Sequence, residues 1–252
     1  MVDFLNDWSA PQPGGIILMG SCFSDELKLP LIEQGFEVMS NPFGTLFHPT
    51  VIFNWLNQAS KMEFNEESWQ LVYHEFVWKS LQAGKEFRMQ EKHQLIQKIN
   101  ASILDLHHAL SQAETLVITL GTAHAWKHQE LGIVGNCQRL PQQDFVRVLT
   151  PLFDLVSEGE RVIENMNKVF PRLRIVFTIS PVKHWRMGVL ENVQTKARLI
   201  EFIYAIKERK GINYFPSFEL ITEVLRNDEY FELDRCHPNK RAIQEVIRSF
   251  LK

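Results

Sequence analysis

Two short segments near opposite ends of the chain carry the residue types that nucleophilic catalysis uses. Ser21 and Cys22 follow an apolar run in "GGIILMGSCFSDEL", at a sharp corner between a predicted strand and a predicted helix. Asp234 and His237 stand three residues apart in "LDRCHPNKR", directly before the last predicted helix. An Asp at that spacing can accept a hydrogen bond from the imidazole, as a general base beside a hydroxyl or thiol requires. Without a matching nucleophile, Asp234 and His237 are better interpreted as loop and N-cap residues of that helix.

Small, hydroxyl-bearing and imidazole residues also follow the other strong strands. Gly121, Thr122 and His124 come after "LVITL", and Ser180 and His184 come after "IVFTI". Ligands of open α/β sheets bind outside the carboxyl ends of the strands, so these residues predict a site on one rim. Strand ends are rich in turn residues in any case, and the pattern is equally compatible with ordinary turns.

Five apolar runs predict the strands, and helical patterns lie between them. The runs are "GGIILMG", "ETLVITLG", "RLRIVFTISP" and the weaker "FEVMS" and "INYFP". The helical patterns cover residues 24–35, 90–112, 160–170, 192–210 and 238–251. Strands that alternate with helices predict a parallel α/β sheet, and fully apolar strands imply helices on both faces.

Caps and prolines refine these boundaries. Ser24 is expected to cap the first helix and Gly35 to follow its last turn. Pro30 is expected to kink or split that helix. Pro238 is well placed in the first turn of the last helix.

Two segments break the alternation of strands and helices. Residues 68–89 alternate aromatic and polar side chains, as a strand or hairpin does, and residues 123–140 resemble a small hairpin insertion. Neither is large enough for a domain, so residues 1–252 are expected to form a single domain.

Composition argues against several classes of function. With 252 residues the chain can bury one sizeable core, and 45% hydrophobic and 23% charged residues are ordinary for a soluble globular protein. The net charge is -3 and Lys and Arg are scattered, which argues against nucleic acid as a partner. The first residues lack a basic segment followed by an apolar run, and no apolar run approaches the roughly 20 residues that span a bilayer. We therefore expect neither a secretory signal nor a membrane partner.

The cysteines indicate a reducing, cytoplasmic location. Cys22, Cys137 and Cys236 are too few, and odd in number, for a disulfide framework. A metal site built from them and a histidine is a further hypothesis, but the paired C-x₂-C spacing of structural zinc sites is missing. No metal and no cofactor are expected.

Seven ordered blocks resemble the GSCFA-domain family over nearly the whole chain. That family is similar to the SGNH (GDSL-type) hydrolases, which implies a three-layer, flavodoxin-like α/β esterase fold. The blocks are "GSCFS", "NPFGTLFHP", "ITLGTAHAW", "GNCQRLP", "SPVKHWRMGVLEN", "YFPSFEL" and "CHPN".

The resemblance implies roles for the residues at both ends of the chain. In the first SGNH block, Gly-Asp-Ser, the Ser is the nucleophile; here Ser21 takes the place of the Asp, and Cys22 takes that of the nucleophile. A thiol is the better nucleophile and a helix start stabilises a thiolate, although a Cys beside a buried strand is often inert. Cys22 is therefore favoured over Ser21. Asp234 and His237 match the last block, Asp-x-x-His, which makes His237 the base and Asp234 its orienter.

The resemblance also implies an oxyanion hole, and here the sequence departs from the pattern. Gly44 matches the glycine of the second block, whereas the third block, Gly-x-Asn, has no amide after Gly121. Asn136, His124 or the Thr122 hydroxyl is a possible substitute, and Asn136 is preferred because its segment directly follows the same strand. An Asn in an ordinary turn is an equally good interpretation of Asn136.

Residues after the strands could also contact the substrate. Lys183 and His184 could bind an anionic or polar group, and His184 could act as an alternative base. Trp126 and Trp185 could form pocket walls or a sugar platform, although aromatic residues there are commonly core.

The expected function is an esterase or acyl hydrolase that acts through a covalent acyl-enzyme, on a small-molecule or carbohydrate ester with a small acyl group. An acyltransferase of the same chemistry is an alternative. A non-catalytic glycan or ligand binder on a decayed hydrolase scaffold is another, because the first and third blocks are altered.

Overall fold

A five-stranded parallel sheet is the central element of the protein. The computed structural model describes residues 8–183, 188–210 and 212–252. Its strands are β1 (Gly15–Gly20), β2 (Glu37–Ser40), β3 (Leu71–His74), β4 (Val77–Ser80), β5 (Arg88–Met89), β6 (Thr115–Leu120), β7 (His124–His128), β8 (Gly132–Val134), β9 (Phe145–Leu149), β10 (Arg174–Ile179) and β11 (Asn213–Phe215). Its helices are α1 (Cys22–Glu33), α2 (Pro49–Lys61), α3 (Lys92–Gln112), α4 (Leu152–Val169), α5 (Val189–Lys210), α6 (Ser217–Glu219) and α7 (Lys240–Phe250).

The order of the large sheet is β11-β10-β6-β1-β2, with every neighbouring pair parallel. These strands are the five that the sequence predicts, so the α/β class and the parallel sheet are confirmed. Counted along the chain, the order is 2-1-3-4-5, which is compatible with a flavodoxin-like fold. In such a sheet the order reverses between the first and third strands, here β1 and β6, and ligands bind at that crevice.

Alternate residues of β1 enter two separate hydrophobic clusters. Ile17 and Met19 belong to a cluster with residues of α2, α3, α4 and α5, whereas Ile16 and Leu18 belong to one with residues of α1 and α7. Successive side chains of a strand point to opposite faces, so helices pack against both faces of β1. Because helices cover both faces, the loops at the carboxyl ends of the strands are the part of the sheet that is available for a site.

Two small antiparallel sheets accompany the large one. Residues 68–89 form the sheet β3-β4-β5. Residues 123–140 contribute β7 and β8, and β9 pairs with β7 from beyond that segment.

The start of α1 differs from the prediction. Ser21, rather than Ser24, is the N-cap, and its Oγ accepts a hydrogen bond from the Phe23 N–H at 3.3 Å. Ser24 lies inside the helix, where its hydroxyl donates to Thr119 Oγ1 at 2.8 Å. Pro30 does not split α1, which continues to Glu33.

Other helix boundaries also differ. The last helix begins at Lys240 with Asn239 as its N-cap, whereas Pro238 lies outside it and pairs with Phe231. The fourth helix begins at Leu152, eight residues before the predicted start, and α2 was not predicted. In the described part of the chain, no helix is both long and apolar enough to cross a membrane.

Candidate functional site

The corner after β1 is a tight turn that only glycine fits. Gly20 has a φ of +133°, and a Cβ added to it would lie 2.0 Å from the carbonyl oxygen of Thr119. Its N–H donates to Asn41 Oδ1, and its carbonyl oxygen accepts from the Leu46 N–H, each at 2.8 Å. Residues 41–46, "NPFGTL", therefore hold the corner in place.

Ser21 is wholly buried and is used structurally. Its N–H donates to the Thr119 carbonyl oxygen at 3.0 Å, and its hydroxyl oxygen caps α1. Cys22 is the first residue of the helix and is half-buried. Of the two candidate nucleophiles, the thiol is the more accessible.

The electrostatic surroundings of Cys22 oppose its ionisation. Burial raises the pKa of the Cys22 thiol, and the carboxylates of Asp25 and Glu26 raise it further. The N–H groups of Cys22 and Phe23 at the start of the helix lower it. The expected stabilisation of a thiolate by the helix start is present but is outweighed by the other effects.

Asp25, which the sequence analysis missed, lies at the centre of a polar cluster beside the corner. Its carboxylate accepts from Ser40 Oγ at 2.6 Å, Asn41 Nδ2 at 2.8 Å and Thr45 Oγ1 at 3.4 Å. Asp25 stands one helical turn after the corner, which was the available signal, but its partners lie at the end of β2 and in the segment after it. The cluster links α1 to the segment after β2.

Asp234 and His237 form a hydrogen-bonded pair. His237 Nδ1 donates to Asp234 Oδ2 at 2.6 Å, and Asp234 Oδ1 accepts from the N–H groups of Cys236 and His237 at 2.8 and 3.0 Å. Hydrogen bonds from the N–H and side chain of His237 and the N–H of Cys236 lower the pKa of Asp234 to about 2. Because an ionised carboxylate only accepts, the proton lies on Nδ1, and Nε2 is the basic nitrogen.

The segment that carries this pair lies against the stretch of chain that follows β10. The Lys183 N–H donates to the Cys236 carbonyl oxygen at 3.0 Å, and Lys183 Nζ lies 3.7 Å from the ring centroid of Phe231. The side chains of Asp234 and His237 are 48% and 52% exposed. The pair is thus open to solvent at the carboxyl edge of the sheet, the edge where β1 leads into Cys22.

Three of the expected oxyanion donors are already hydrogen-bonded within the protein. The Gly44 N–H donates to the Asn41 carbonyl oxygen at 2.8 Å, and the Gly121 N–H donates to that of Phe47 at 2.9 Å. The Thr122 hydroxyl bonds to Thr195 Oγ1 at 3.0 Å and accepts from the N–H of residue 124 at 2.9 Å. These groups hold the loops of the rim together.

Asn136 lies in a turn that is hydrogen-bonded to Leu81. Its Oδ1 accepts from the Gln138 N–H at 2.9 Å, and its own N–H donates to the Leu81 carbonyl oxygen at 2.9 Å. No described residue accepts a hydrogen bond from its Nδ2 group. A Cβ on the preceding Gly135 would lie 3.2 Å from a methyl carbon of Leu46. The N–H of Leu46 is the group that donates to the Gly20 carbonyl oxygen.

His124 begins β7 and is half-buried. Its Nδ1 atom is buried and has no hydrogen-bond partner among the described residues. Burial lowers the pKa of His124, as do the charges of Arg147 and Arg198. Trp126, on the same strand, is 38% exposed. His184 and Trp185 lie outside the described residues.

A comparison with known families matches residues 15–250 to the model of the GSCFA family. The match spans both the corner at Cys22 and the Asp234–His237 pair. The chain belongs to the GSCFA family. No curated protein matches it.

Lys196 is the principal residue of this GSCFA protein that sequence reasoning missed. Its side chain is buried in α5, and Nζ donates to the carbonyl oxygens of Gly121 at 3.0 Å and Ser180 at 2.7 Å. Burial lowers the pKa of Lys196 to about 7, while the nearby Cys22 and Glu219 raise it. The available signal was the position of Lys196, three and seven residues before the apolar Leu199 and Ile203 on one helix face.

The cysteines of the GSCFA protein give the metal hypothesis no support. Cys22, Cys137 and Cys236 are free thiols. Over the ranges that the structure describes, no three His, Cys, Asp or Glu side chains converge as a metal site would require. Burial raises the pKa of Cys137 to about 11, so this thiol is protonated at neutral pH.

Proposed function

We propose that this GSCFA protein is an esterase of the SGNH type, with a three-layer flavodoxin-like fold, that cleaves small acyl esters through a covalent acyl-enzyme. The observation that carries the proposal is the position of the Asp234–His237 pair. Its segment is hydrogen-bonded to the segment after β10 through Lys183 and Cys236, on the same side of the sheet as the corner with Cys22. A nucleophile and its general base must come within hydrogen-bonding reach of each other, and two segments on the same side of the sheet can meet this requirement.

In the proposed reaction, Cys22 is the nucleophile. His237 Nε2 accepts the thiol proton as Sγ bonds to the ester carbonyl carbon, and the imidazolium returns the proton to the departing alkoxide. Water then attacks the thioester carbon, gives its proton to Nε2, and the tetrahedral species releases the acid as Sγ regains that proton. Asp234 keeps Nδ1 protonated and stabilises the imidazolium.

The proposed oxyanion hole differs from the arrangement that the resemblance implies. The Cys22 N–H stands at the first position of α1, where helix N–H groups have no partner within the helix. Asn136 Nδ2 supplies a second donor from the neighbouring turn. Gly44 would join them only by releasing the Asn41 carbonyl oxygen.

The proposed substrate is a small-molecule or carbohydrate ester, because the Asp234–His237 pair is exposed and open to bulky alcohols. Acyl transfer to an alcohol in place of water uses the same residues. The three free thiols support a cytoplasmic location as part of this proposal.

A non-catalytic binder is the second candidate. It is favoured by the raised pKa of Cys22 and by the internal hydrogen bonds of Gly44 and Thr122. Saturable sugar binding without turnover or covalent labelling would support this function instead.

Turnover of p-nitrophenyl acetate tests the proposed esterase. Cys22→Ala and His237→Ala are expected to lower kcat/KM at least about 100-fold, since nucleophile and base act together. Ser21→Ala should keep most of the activity while lowering the free energy of unfolding by about 1 kcal/mol, the usual cost of a lost N-cap.

Cys137→Ala is the matched control, because it removes a half-buried thiol from a different segment. Mass spectrometry of the quenched wild type should locate the acetyl group on Cys22. Wild-type rates in both the Cys22→Ala and His237→Ala variants would refute the esterase.

A further inference from the structure

Asn41 takes part in several of the hydrogen bonds that shape the corner before α1. Its Oδ1 accepts from the Gly20 N–H at 2.8 Å, and its own N–H donates to the Leu18 carbonyl oxygen at 2.8 Å. Its Nδ2 donates to Asp25 Oδ2 at 2.8 Å and to the Ser21 carbonyl oxygen at 3.5 Å. The backbone φ of Asn41 is +43°, a left-handed conformation that Asn tolerates better than most residues. The Asn41 side chain therefore connects Gly20, Ser21 and Asp25.

The direction of the Asn41 amide follows from two of these partners. The backbone N–H of Gly20 can only donate, so it requires the amide oxygen, and an ionised carboxylate can only accept, so Asp25 requires the amide nitrogen. A flipped amide would place two donors together at Gly20 and two acceptors together at Asp25. The Asp25 carboxylate is itself held by Ser40 Oγ at 2.6 Å and Thr45 Oγ1 at 3.4 Å. Asp25 therefore favours the orientation of the amide that Gly20 needs.

The peptide group between Ser21 and Cys22 is the part of the corner that Asn41 contacts closest to the thiol. Its carbonyl oxygen accepts from the Ser24 N–H at 2.9 Å as well as from Asn41 Nδ2. A peptide group is planar and trans, so its N–H points away from its carbonyl oxygen. Because Ser24 and Asn41 hold the Ser21 carbonyl oxygen, they also set the direction of the Cys22 N–H.

The Cys22 N–H is available to a ligand. It stands at the first position of α1, where a helix offers no acceptor, and no oxygen of the described residues accepts a hydrogen bond from it. This N–H is the first donor of the proposed oxyanion hole. A donor of that kind is effective only when it points at the position where the negative charge develops, so its direction matters as much as its presence.

We infer that Asn41 is a positioning residue that aims the Cys22 N–H at the oxyanion, and that Asp25 fixes the direction of the Asn41 amide. In these roles neither side chain transfers a proton or bonds to the substrate. The inference rests on the proposed function in taking the Cys22 N–H as an oxyanion donor. The orientation of the peptide group between Ser21 and Cys22 can be measured without any substrate.

Asn41→Gly tests the role of Asn41, because glycine adopts a φ of +43° without strain and only the side-chain amide is lost. We expect kcat for p-nitrophenyl acetate to fall about 10–100-fold with little change in KM, since the donor acts on the transition state. Alkylation of Cys22 by iodoacetamide forms no oxyanion, so its rate should stay within about twofold of the wild-type rate. An unchanged kcat, or an equal fall in both rates, would overturn the inference.

Asp25→Ala tests the role of Asp25, with Glu26→Ala as the matched control. Both acids lie on the turn that follows Cys22, and both raise the pKa of its thiol, so the effect of lost charge is common to the two variants. Only Asp25 bonds to Asn41. The kcat of Asp25→Ala is expected to be about 5–10-fold below that of Glu26→Ala, because the amide is free to turn. Equal kcat values would refute the role of Asp25.

NMR of the Cys22 N–H is the measurement that needs no substrate. The order parameter from ¹⁵N relaxation is expected to be about 0.85 in the wild type and Glu26→Ala, as in rigid backbone, and to fall towards about 0.6 in Asn41→Gly. The residual dipolar coupling of the same N–H should change as the peptide group tilts. If both values stay unchanged in Asn41→Gly, the inference is wrong, whether or not the protein cleaves esters.

Asn41→Asp replaces Asn41→Gly in these measurements if the glycine variant does not fold. It keeps an acceptor for the Gly20 N–H and removes the donor to Ser21 and Asp25, so the same changes at Cys22 are expected. A wild type without ester turnover would refute the proposed esterase. The NMR comparison would then still decide whether Asn41 holds the peptide group of Cys22.

Discussion

Ser21 and Cys22 are neighbours with different surroundings, and the difference comes from one position along a helix. The N-cap residue turns its side chain back towards the free N–H groups, which places the Ser21 hydroxyl inside the turn. The next residue has helical geometry, and its side chain leaves the turn. The hydroxyl therefore serves the fold, and the half-buried thiol of Cys22 is the group that we propose for chemistry.

Asp234→Asn is expected to lower kcat for ester turnover by about 10²–10⁴-fold, with little change in KM. The amide can no longer hold the proton on Nδ1 or stabilise the imidazolium. Because the pKa of Asp234 is about 2, the carboxylate is ionised throughout pH 5–8, and the loss should be similar over that range.

Steady-state kinetics at several pH values measure this effect. Asp228→Asn, at an exposed acid of the preceding turn, is the control and should retain wild-type rates. Equal activity in the two variants would contradict the role of Asp234.

At the scale of elements, the corner is assembled from three pieces that are distant in sequence. β1 supplies Gly20, β6 supplies the carbonyl oxygen of Thr119, and the segment after β2 supplies Asn41 and Leu46. Asn41, Leu46 and Thr119 each form a hydrogen bond with a backbone group of the corner that the tight turn would otherwise leave without a partner. The geometry of the corner therefore depends on the pairing of β1 with β6.

Gly20→Ala is expected to lower the free energy of unfolding by about 3 kcal/mol or more. The new Cβ would lie 2.0 Å from a backbone oxygen, in addition to the strain of a φ of +133°. Gly132→Ala is the matched control, because Gly132 also has a positive φ, +82°, but has open space around it.

That control should lose only about 1–2 kcal/mol, the cost of the backbone strain alone. Denaturant unfolding measures both variants. Similar losses of unfolding free energy in Gly20→Ala and Gly132→Ala would show that the close approach to the Thr119 carbonyl oxygen of β6 is unimportant.

At the scale of the whole molecule, a buried histidine couples global stability to pH. His48 caps α2, and its Nε2 bonds to Thr150 Oγ1 at 2.9 Å, just before α4. Burial lowers the pKa of His48 to about 4, from an ordinary value of 6.5. Between these values the unfolded chain binds a proton that the folded chain excludes, so the free energy of unfolding falls as the pH is lowered from 6.5 to 4.

His48→Asn is expected to remove this contribution, which amounts to roughly 3 kcal/mol across the window. Asn is a good N-cap, so α2 keeps its start. Urea unfolding at pH 7 and pH 4.5 should show a smaller drop in the variant. His93→Asn, at an exposed histidine of α3, should show the same drop as the wild type; an equal drop in His48→Asn would contradict the assignment.

The sequence by itself determined the α/β class, the five strands of the parallel sheet and the family. These follow from local signals: apolar runs, the helical patterns between them, and ordered motif blocks. It also placed Asp234 and His237 together, since three residues of one turn suffice for their hydrogen bond. The start of α1 was misplaced because Ser21 and Ser24 are both good caps locally, and only the partner of Ser24 on β6 separates them.

Tertiary structure alone decided which polar groups form hydrogen bonds within the protein and which are available to a ligand. The hydrogen bonds of the Gly121 N–H to Phe47 and of the Thr122 hydroxyl to Thr195 join residues that only the folded chain brings near, and so do those of the cluster around Asp25. Lys196 is the clearest case, because a lysine in a helix is ordinarily solvated. Its burial follows from the packing of α5 against the sheet, a long-range arrangement that no local pattern specifies.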